Sequence, residues 1–416
     1  MLALSSWMVA FAQDPAEPTA PAPAEEAKPW DRVGWGWGAL PTPNYNADEG
    51  FGFGALGSIY RYDGHTAPYK TGATLILFMT TRQIHGHSLE IDTLEVGDTP
   101  LRLTGRAELA ATLVNPYCGT GPAVTCDPAV ATAAGEDRGL AGDALDEFAR
   151  RYYYTRWVNP NGFLVARYAL DPMPHRIEAF AGWRLNALVP GSFSEAGPWP
   201  GSLYARDFPG GEIGVVSVLQ LGLMADDRDN EPAPIRGYWV EGSIRGATPV
   251  WGSQYDYFGF NTTLRGYVPV GTERLVLANR VVFDGMVGDA HVLELASFGG
   301  SQRYFGWGGL NAGRGIRLRR YVGRVKSFEQ AELRWTPISF RVANVPFDVG
   351  FLTFGDLGFV AADWSGVGGM FDYPLFGTGG GLRVAVDKNL VVRADLGVSP
   401  LEGWSPAPYI DIKNTF

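Results

Sequence analysis

Residues 101–113 read LRLTGRAELAATL, and their alternation decides the fold class. Leu101, Leu103, Ala107, Leu109 and Leu113 share one face; Arg102, Thr104, Arg106 and Glu108 share the other. Period two of this kind marks a strand with one apolar face. The pattern recurs at 176–187, where Ile177, Ala179, Ala181, Trp183 and Leu185 oppose Arg176, Glu178, Arg184 and Asn186. It recurs again near the end, where Leu390, Val392, Ala394, Leu396 and Val398 oppose Arg393 and Asp395. About sixteen such runs follow from Val33 onward, most near ten residues, the length a tilted membrane strand needs.

Alternation alone also fits a soluble β-sandwich. Composition and connections separate the two. Glycine is abundant (55 of 416 residues) and aromatics reach 13%, while charged residues stand at 19%, which suits a β-rich protein with a broad apolar exterior. No apolar run approaches the roughly 18 residues of a membrane helix, so a span would have to be a closed barrel. Counting strands from Val33, the links after even strands are mostly short, such as GD near 97 and DKN near 388. The links after odd strands include the long ones, at 114–162, 188–212, 287–325 and 361–375. Short turns at one end and long loops at the other describe an outer-membrane barrel. The stretch 225–237 is an exception, longer than an inner turn should be. Within 114–162, DALDEFARRYYY reads as a helix over the barrel mouth. The fold class expected is all-β, a transmembrane antiparallel barrel of about sixteen strands.

The first residues, 1–12, form a short apolar segment ending in Ala10-Phe11-Ala12, which reads as a signal peptide whose start is truncated. The alternative is an apolar N-terminal arm of the fold. Residues 13–30 are a Pro/Ala/Glu-rich linker, which leaves 31–416 for the barrel. Export places Cys118 and Cys126 in an oxidising compartment, where a disulfide closing a short loop is expected; two free thiols are the alternative. The sequence closes on YIDIKNTF, with Ile410, Ile412, Asn414 and Phe416 on one face. Phe416 is therefore expected to face lipid and to serve as a C-terminal signal for the outer-membrane assembly machinery.

The stretch from 298 to 360 resembles the BamA/TamA-like bacterial surface antigen superfamily of outer-membrane assembly and translocation barrels. FGG and GRGIRLRRYVG (313–323) look like the family's sixth outer loop, with its Arg-Gly-aromatic motif; AELRW resembles the twelfth strand and FGDLGFV the thirteenth. A second Arg-Gly pair, LRGY at 264–267, lies inside an alternating run, so Arg265 is assigned to a strand and Arg314 to the loop. The resemblance implies that this long loop folds into the lumen. It further implies that the loop motif Arg314, Gly315 and Ile316 meets inward carboxylates, here Glu332 and Asp356. Ile316 departs from the family's aromatic residue. A guanidinium offers two carboxylates a planar fork of donors. About thirty residues precede the first strand, too few for the family's client-binding POTRA domains, so the chain resembles a POTRA-less branch.

Other chemistry is sparse. No nucleophile elbow, zincin motif or phosphate loop occurs, and no enzymatic activity or cofactor is expected. His85 and His87 share a strand face without a third ligand nearby, and Asp227, Asp229 and Glu231 lack the glycine of a calcium loop. The formal charge of −10 argues against nucleic acid. The reading is an outer-membrane barrel of a Gram-negative-type bacterium, resembling insertion or translocation factors. Its partners would be the lipid bilayer, the assembly machinery and client polypeptides. A passive pore or structural barrel, and a lipid-acting barrel enzyme, are the alternatives.

Overall fold

The computed structural model describes residues 33–416 except 47–49, 67, 172–175, 210–212, 232, 302–303, 343–344, 387–389 and 413–415. The signal peptide and linker read from residues 1–30 lie outside the described residues. The chain forms one antiparallel barrel of sixteen strands. Strand β1 comes in two pieces, Val33–Pro41 and Asn44–Asn46. It is followed by β2 (Gly50–Asp63), β3 (Thr71–Thr80), β4 (His85–Thr93) and β5 (Leu101–Pro116). Next come β6 (Tyr154–Asp171), β7 (Arg176–Pro190), β8 (Gly214–Asp226) and β9 (Gly237–Ala247). Then come β10 (Asp256–Val270), β11 (Thr272–Asp289), β12 (Val325–Val342) and β13 (Val345–Ala361). The last three are β14 (Leu375–Val386), β15 (Leu390–Val398) and β16 (Ala407–Ile412).

Each strand pairs with its sequence neighbours, and β16 returns to β1 to close the wall. Closure satisfies backbone groups that an open edge would leave bare in lipid. Alternation then sorts the side chains. Leu75, Leu77, Leu89, Ile91, Leu164, Leu219, Leu221, Leu223, Leu264 and Leu333 are exposed on the outer face. Arg280, Lys326, Gln330, Glu332, Asp356 and Arg393 are buried on the inner one. Among the described residues no helix is long and apolar enough to cross a membrane.

Long connections gather at one rim. There 117–153 carries helices α1 (Pro128–Glu136) and α2 (Gly142–Arg151), and 191–213 carries α3 (Leu203–Asp207). Asp127 caps α1 by accepting from the Ala129 amide at 2.8 Å. A disulfide joins Cys118 to Cys126 at the base of the helical loop, with Cα atoms 5.3 Å apart. Tyr117, Tyr152, Leu203, Tyr204, Val292 and Val322 pack into one cluster that roofs this end. The wall strands reach further than their alternation shows: Tyr154–Asn161, read as loop, is strand, paired back to Pro116 across an irregularity between Thr112 and Asn115. Such a bulge breaks period two in the sequence without ending the ladder.

Candidate functional site

The loop 290–324, between β11 and β12, does not project from the rim but crosses the lumen. It starts with the turn α4 (Val292–Leu295), capped by His291, whose Nδ1 accepts from the Leu293 amide at 3.2 Å. Burial holds the His291 imidazole down at about 4, against the pull of Glu294 and Asp289. Glu294 accepts from Arg184 of β7 at 2.7 Å and from the Tyr257 hydroxyl of β10 at 2.7 Å. Asp284 of β11 accepts from the Gly299 amide at 2.7 Å while Arg245 of β9 forks onto it at 2.8 and 2.9 Å. Glu241 of β9 accepts from the Ser301 amide at 2.6 Å. On the far side, Arg319 reaches Asn115 of β5 at 2.7 Å, and Arg320 meets Glu402 at 2.5 Å. The loop is thus fastened to both sides of the lumen wall.

Its tip is the Arg-Gly pair at 314–315. The Arg314 guanidinium is fully buried and donates to Glu332 of β12 at 2.6 Å and to Asp356 of β13 at 2.8 and 3.0 Å. Its own amide donates to the same Asp356 at 2.9 Å. Asp395 of β15 stands 3.5 Å away, and the guanidinium carbon lies 3.5 Å from the Phe354 ring centroid. The acids are shared: Arg334 holds Glu332, Arg383 holds Asp395, and Arg393 bridges toward Asp395 and Asp411. Four arginines thereby meet four carboxylates, so the network is balanced in charge, as burial demands.

Local geometry explains why glycine flanks Arg314. Gly315 sits at φ +91°, and a Cβ there would lie 2.6 Å from the Val398 backbone. Its amide donates to the Tyr409 hydroxyl of β16 at 3.2 Å. On the wall, a Cβ on Gly377 would come within 2.1 Å of the Arg314 carbonyl oxygen. Both glycines let the loop backbone lie flat on the inner wall. Ile316 is buried in a cluster with Phe298, Trp307, Tyr321, Phe328 and Leu375. The large aromatic of the loop is Trp307, whose indole N–H donates to the Ser327 carbonyl at 2.9 Å.

An antiparallel sixteen-stranded wall with a long penultimate-quarter loop pinned inside it by an Arg-Gly tip is a specific arrangement. The fold is that of the BamA and CdiB barrels. The structure of BamA from Haemophilus ducreyi lacking POTRA domains 1–3 superposes with a TM-score of 0.54 at 12% identity, over 91% of this chain and 70% of that one. CdiB from Escherichia coli gives 0.55 at 11% identity, over 90% of this chain and 62% of that one. At such identity the likeness to BamA and CdiB is one of fold. No protein-family model matches the sequence, and no curated protein matches it.

The structure brings Arg314, Gly315, Glu332 and Asp356 together, with Ile316 beside them. Arg265 lies in β10, stacked on Trp239 at 4.4 Å, in the register row that runs through Arg280 and Gln330 to Asp356 three strands away. Phe416 requires a correction. It does not face lipid: β16 ends at Ile412, and Phe416 lies inside the barrel, 6% exposed, against Tyr267, Val276 and Ala278. The apolar patch of Val276 and Ala278 and the guanidiniums of Arg280 and Arg334 hold the ring inward, against the alternation of β16. Sequence reasoning missed Asp395, Phe354, Tyr409, Asp284 and Glu294. Asp395 carried a signal, since it shares the polar face of its strand with Arg393. His85 packs on His87 and Phe193, and His87 Nδ1 accepts from the Phe78 amide at 3.4 Å; the described residues hold no cluster suited to a metal. Asp229 instead caps its own turn, accepting from the Ile235 and Arg236 amides at 3.0 and 3.2 Å.

Proposed function

We propose that this chain is an outer-membrane barrel of a Gram-negative-type bacterium that helps insert or translocate polypeptides, without enzymatic activity or cofactor. The observation that carries the reading is the seam between β1 and β16. From Val33 to Pro41, β1 pairs with β2 residue by residue. Among the described residues it shares two pairs with β16, Tyr409 with Asn46 and Ile410 with Tyr45. No strand covers the other edge of Val33–Pro41 among the described residues, and Trp35 and Trp37 there are 70% and 83% exposed. An uncovered edge is a template for another strand. At about 0.5–1.5 kcal/mol per hydrogen bond, two residue pairs are a weak closure beside the long ladders elsewhere.

A passive pore is the weaker reading, because loop 290–324 crosses the lumen that ions would use. The fold likeness to BamA and CdiB supports the stronger one, as does the apolar exterior that suits a bilayer. Assembly machinery and client chains are the partners this role would require.

The test locks the seam. Tyr45→Cys with Ile410→Cys places two thiols on directly opposed residues of β1 and β16. Oxidation should abolish the protein's contribution to the outer-membrane proteome, and reduction should restore it. If depleting the protein altogether leaves that proteome unchanged, the proposed role is wrong.

A further inference from the structure

The inner end of the lumen contains an aromatic socket. Tyr267 of β10 and Val276 and Ala278 of β11 line it, and Ile235 closes it from the turn 227–236. Two guanidiniums stand over its occupant, the Phe416 ring: Arg280 at 4.9 Å from the centroid and Arg334 at 5.0 Å. Arg334 also donates to the Phe416 carbonyl oxygen at 3.1 Å. Cations over a ring face favour an aromatic guest over an aliphatic one of equal size.

The walls are held without the guest. Arg280 is fixed by Gln330 at 3.0 Å and by the Asn311 carbonyl of the loop. Arg334 is fixed by Glu332 at 2.8 Å. Ile235 is set by the Asp229-capped turn, itself tied down where Arg228 forks onto Asp226 at 2.7 and 2.8 Å. One group is left over: the Tyr267 hydroxyl is buried and has no hydrogen-bond partner among the described residues. The Phe416 ring packs 6.3 Å from the Tyr267 ring, centroid to centroid, and offers that hydroxyl no partner, so the site receives an aromatic ring but is not saturated by this one.

We propose that this socket is a binding site for an aromatic side chain on a polypeptide segment, occupied here by the chain's own Phe416 and open to exchange with another. Occupancy would reach the loop through two short relays. One runs from Arg280 to Asn311, and the other from Arg334 through Glu332 to Arg314. That the exchanging guest is a client rests on the polypeptide-handling reading; the exchange itself does not.

The experiment uses the full-length barrel folded in detergent and a fluorescent peptide of residues 411–416. Phe416→Ala should bind it saturably, and at least tenfold more tightly than the wild type, whose socket is filled. The same peptide ending in Ala should not bind, and Val276→Trp added to Phe416→Ala should abolish binding by filling the cavity. Heat-modifiable gel migration reports folding of every variant; should Phe416→Ala fail to fold, Phe416→Leu serves, a guest that has lost the cation contacts and should therefore yield to the Phe-ended peptide more readily than the wild type does. Equal binding by wild type and vacated variant, or equal binding of the Phe and Ala peptides, would overturn the proposal. Peptide exchange alongside an unchanged outer-membrane proteome on depletion would keep the socket and remove the client role.

Discussion

Arg314→Ala is the sharpest test of how the lumen loop is held. The side chain is completely buried with Glu332, Asp356 and Asp395 around it. Breaking a buried pair costs about 3–5 kcal/mol, against about 0–1 for an exposed one. The loss is unevenly shared. Glu332 keeps Arg334, and Asp395 keeps Arg383 and Arg393. Asp356 loses both guanidinium bonds and retains the amide of residue 314. Most of the penalty is therefore one buried carboxylate without a cation. Asp356→Asn in the same chain should recover part of it, and the coupling between the two sites is measurable as a double-mutant cycle.

The wall itself should survive, since its ladders do not run through the loop. Trypsin supplies the assay, because RLRR at 317–320 offers cleavage sites just past the tip. In Arg314→Ala these should be cut at least tenfold faster while heat-modifiable migration persists. Arg265→Ala is the control: the side chain packs on Trp239 of β9, in the wall rather than in the loop. Release of the loop by Arg265→Ala, with Arg314→Ala still protected, would refute the assignment of the two Arg-Gly pairs.

Three further outcomes are expected. Gly377→Ala should release the loop much as Arg314→Ala does, because its Cβ would collide with the Arg314 carbonyl; Gly355→Ala, with nothing within 4 Å, should leave trypsin protection unchanged. Replacing Cys118 and Cys126 by Ser should cost about 2–3 kcal/mol of local loop order, seen as protease nicking within 119–151 while the barrel stays heat-modifiable. The His291 imidazole, held neutral near 4 against about 6.5 when free, makes the cap over α4 less stable as pH falls. Below about 6.5 the unfolded loop takes up a proton that the folded one refuses, so the protection of the Leu293 amide, its exchange relative to the intrinsic rate at each pH, should fall between pH 6.5 and 4, and His291→Gln should flatten that dependence.

What could be read in the sequence follows from what each rule measures. Strand polarity is local, so alternation alone places Arg102, Glu178 and Arg393 on their faces. The barrel followed from loop lengths, because closure sends every second connection to the same rim. Where the ladder is irregular the rule fails, as at Tyr154–Asn161 beyond the bulge, and it fails at Phe416, which contacts on the inner wall hold inward. The loop's anchors failed for another reason. Asp284 and Glu294 are ordinary lumen-side or loop acids by pattern, and their roles depend on a chain that returns across the barrel from 15 or more residues away or from another strand altogether. A loop motif names only its own half of each contact; the wall's half is set by register. That is why Glu332 and Asp356 came from a family resemblance while Asp395, equally close in sequence pattern, did not. The same logic locates the weak point of the wall. Tyr409 holds the loop tip through Gly315, and it is also one of the two β16 residues paired to β1 among the described residues. Any displacement of the tip therefore acts on the strand that closes the barrel, and the seam and the loop should respond together.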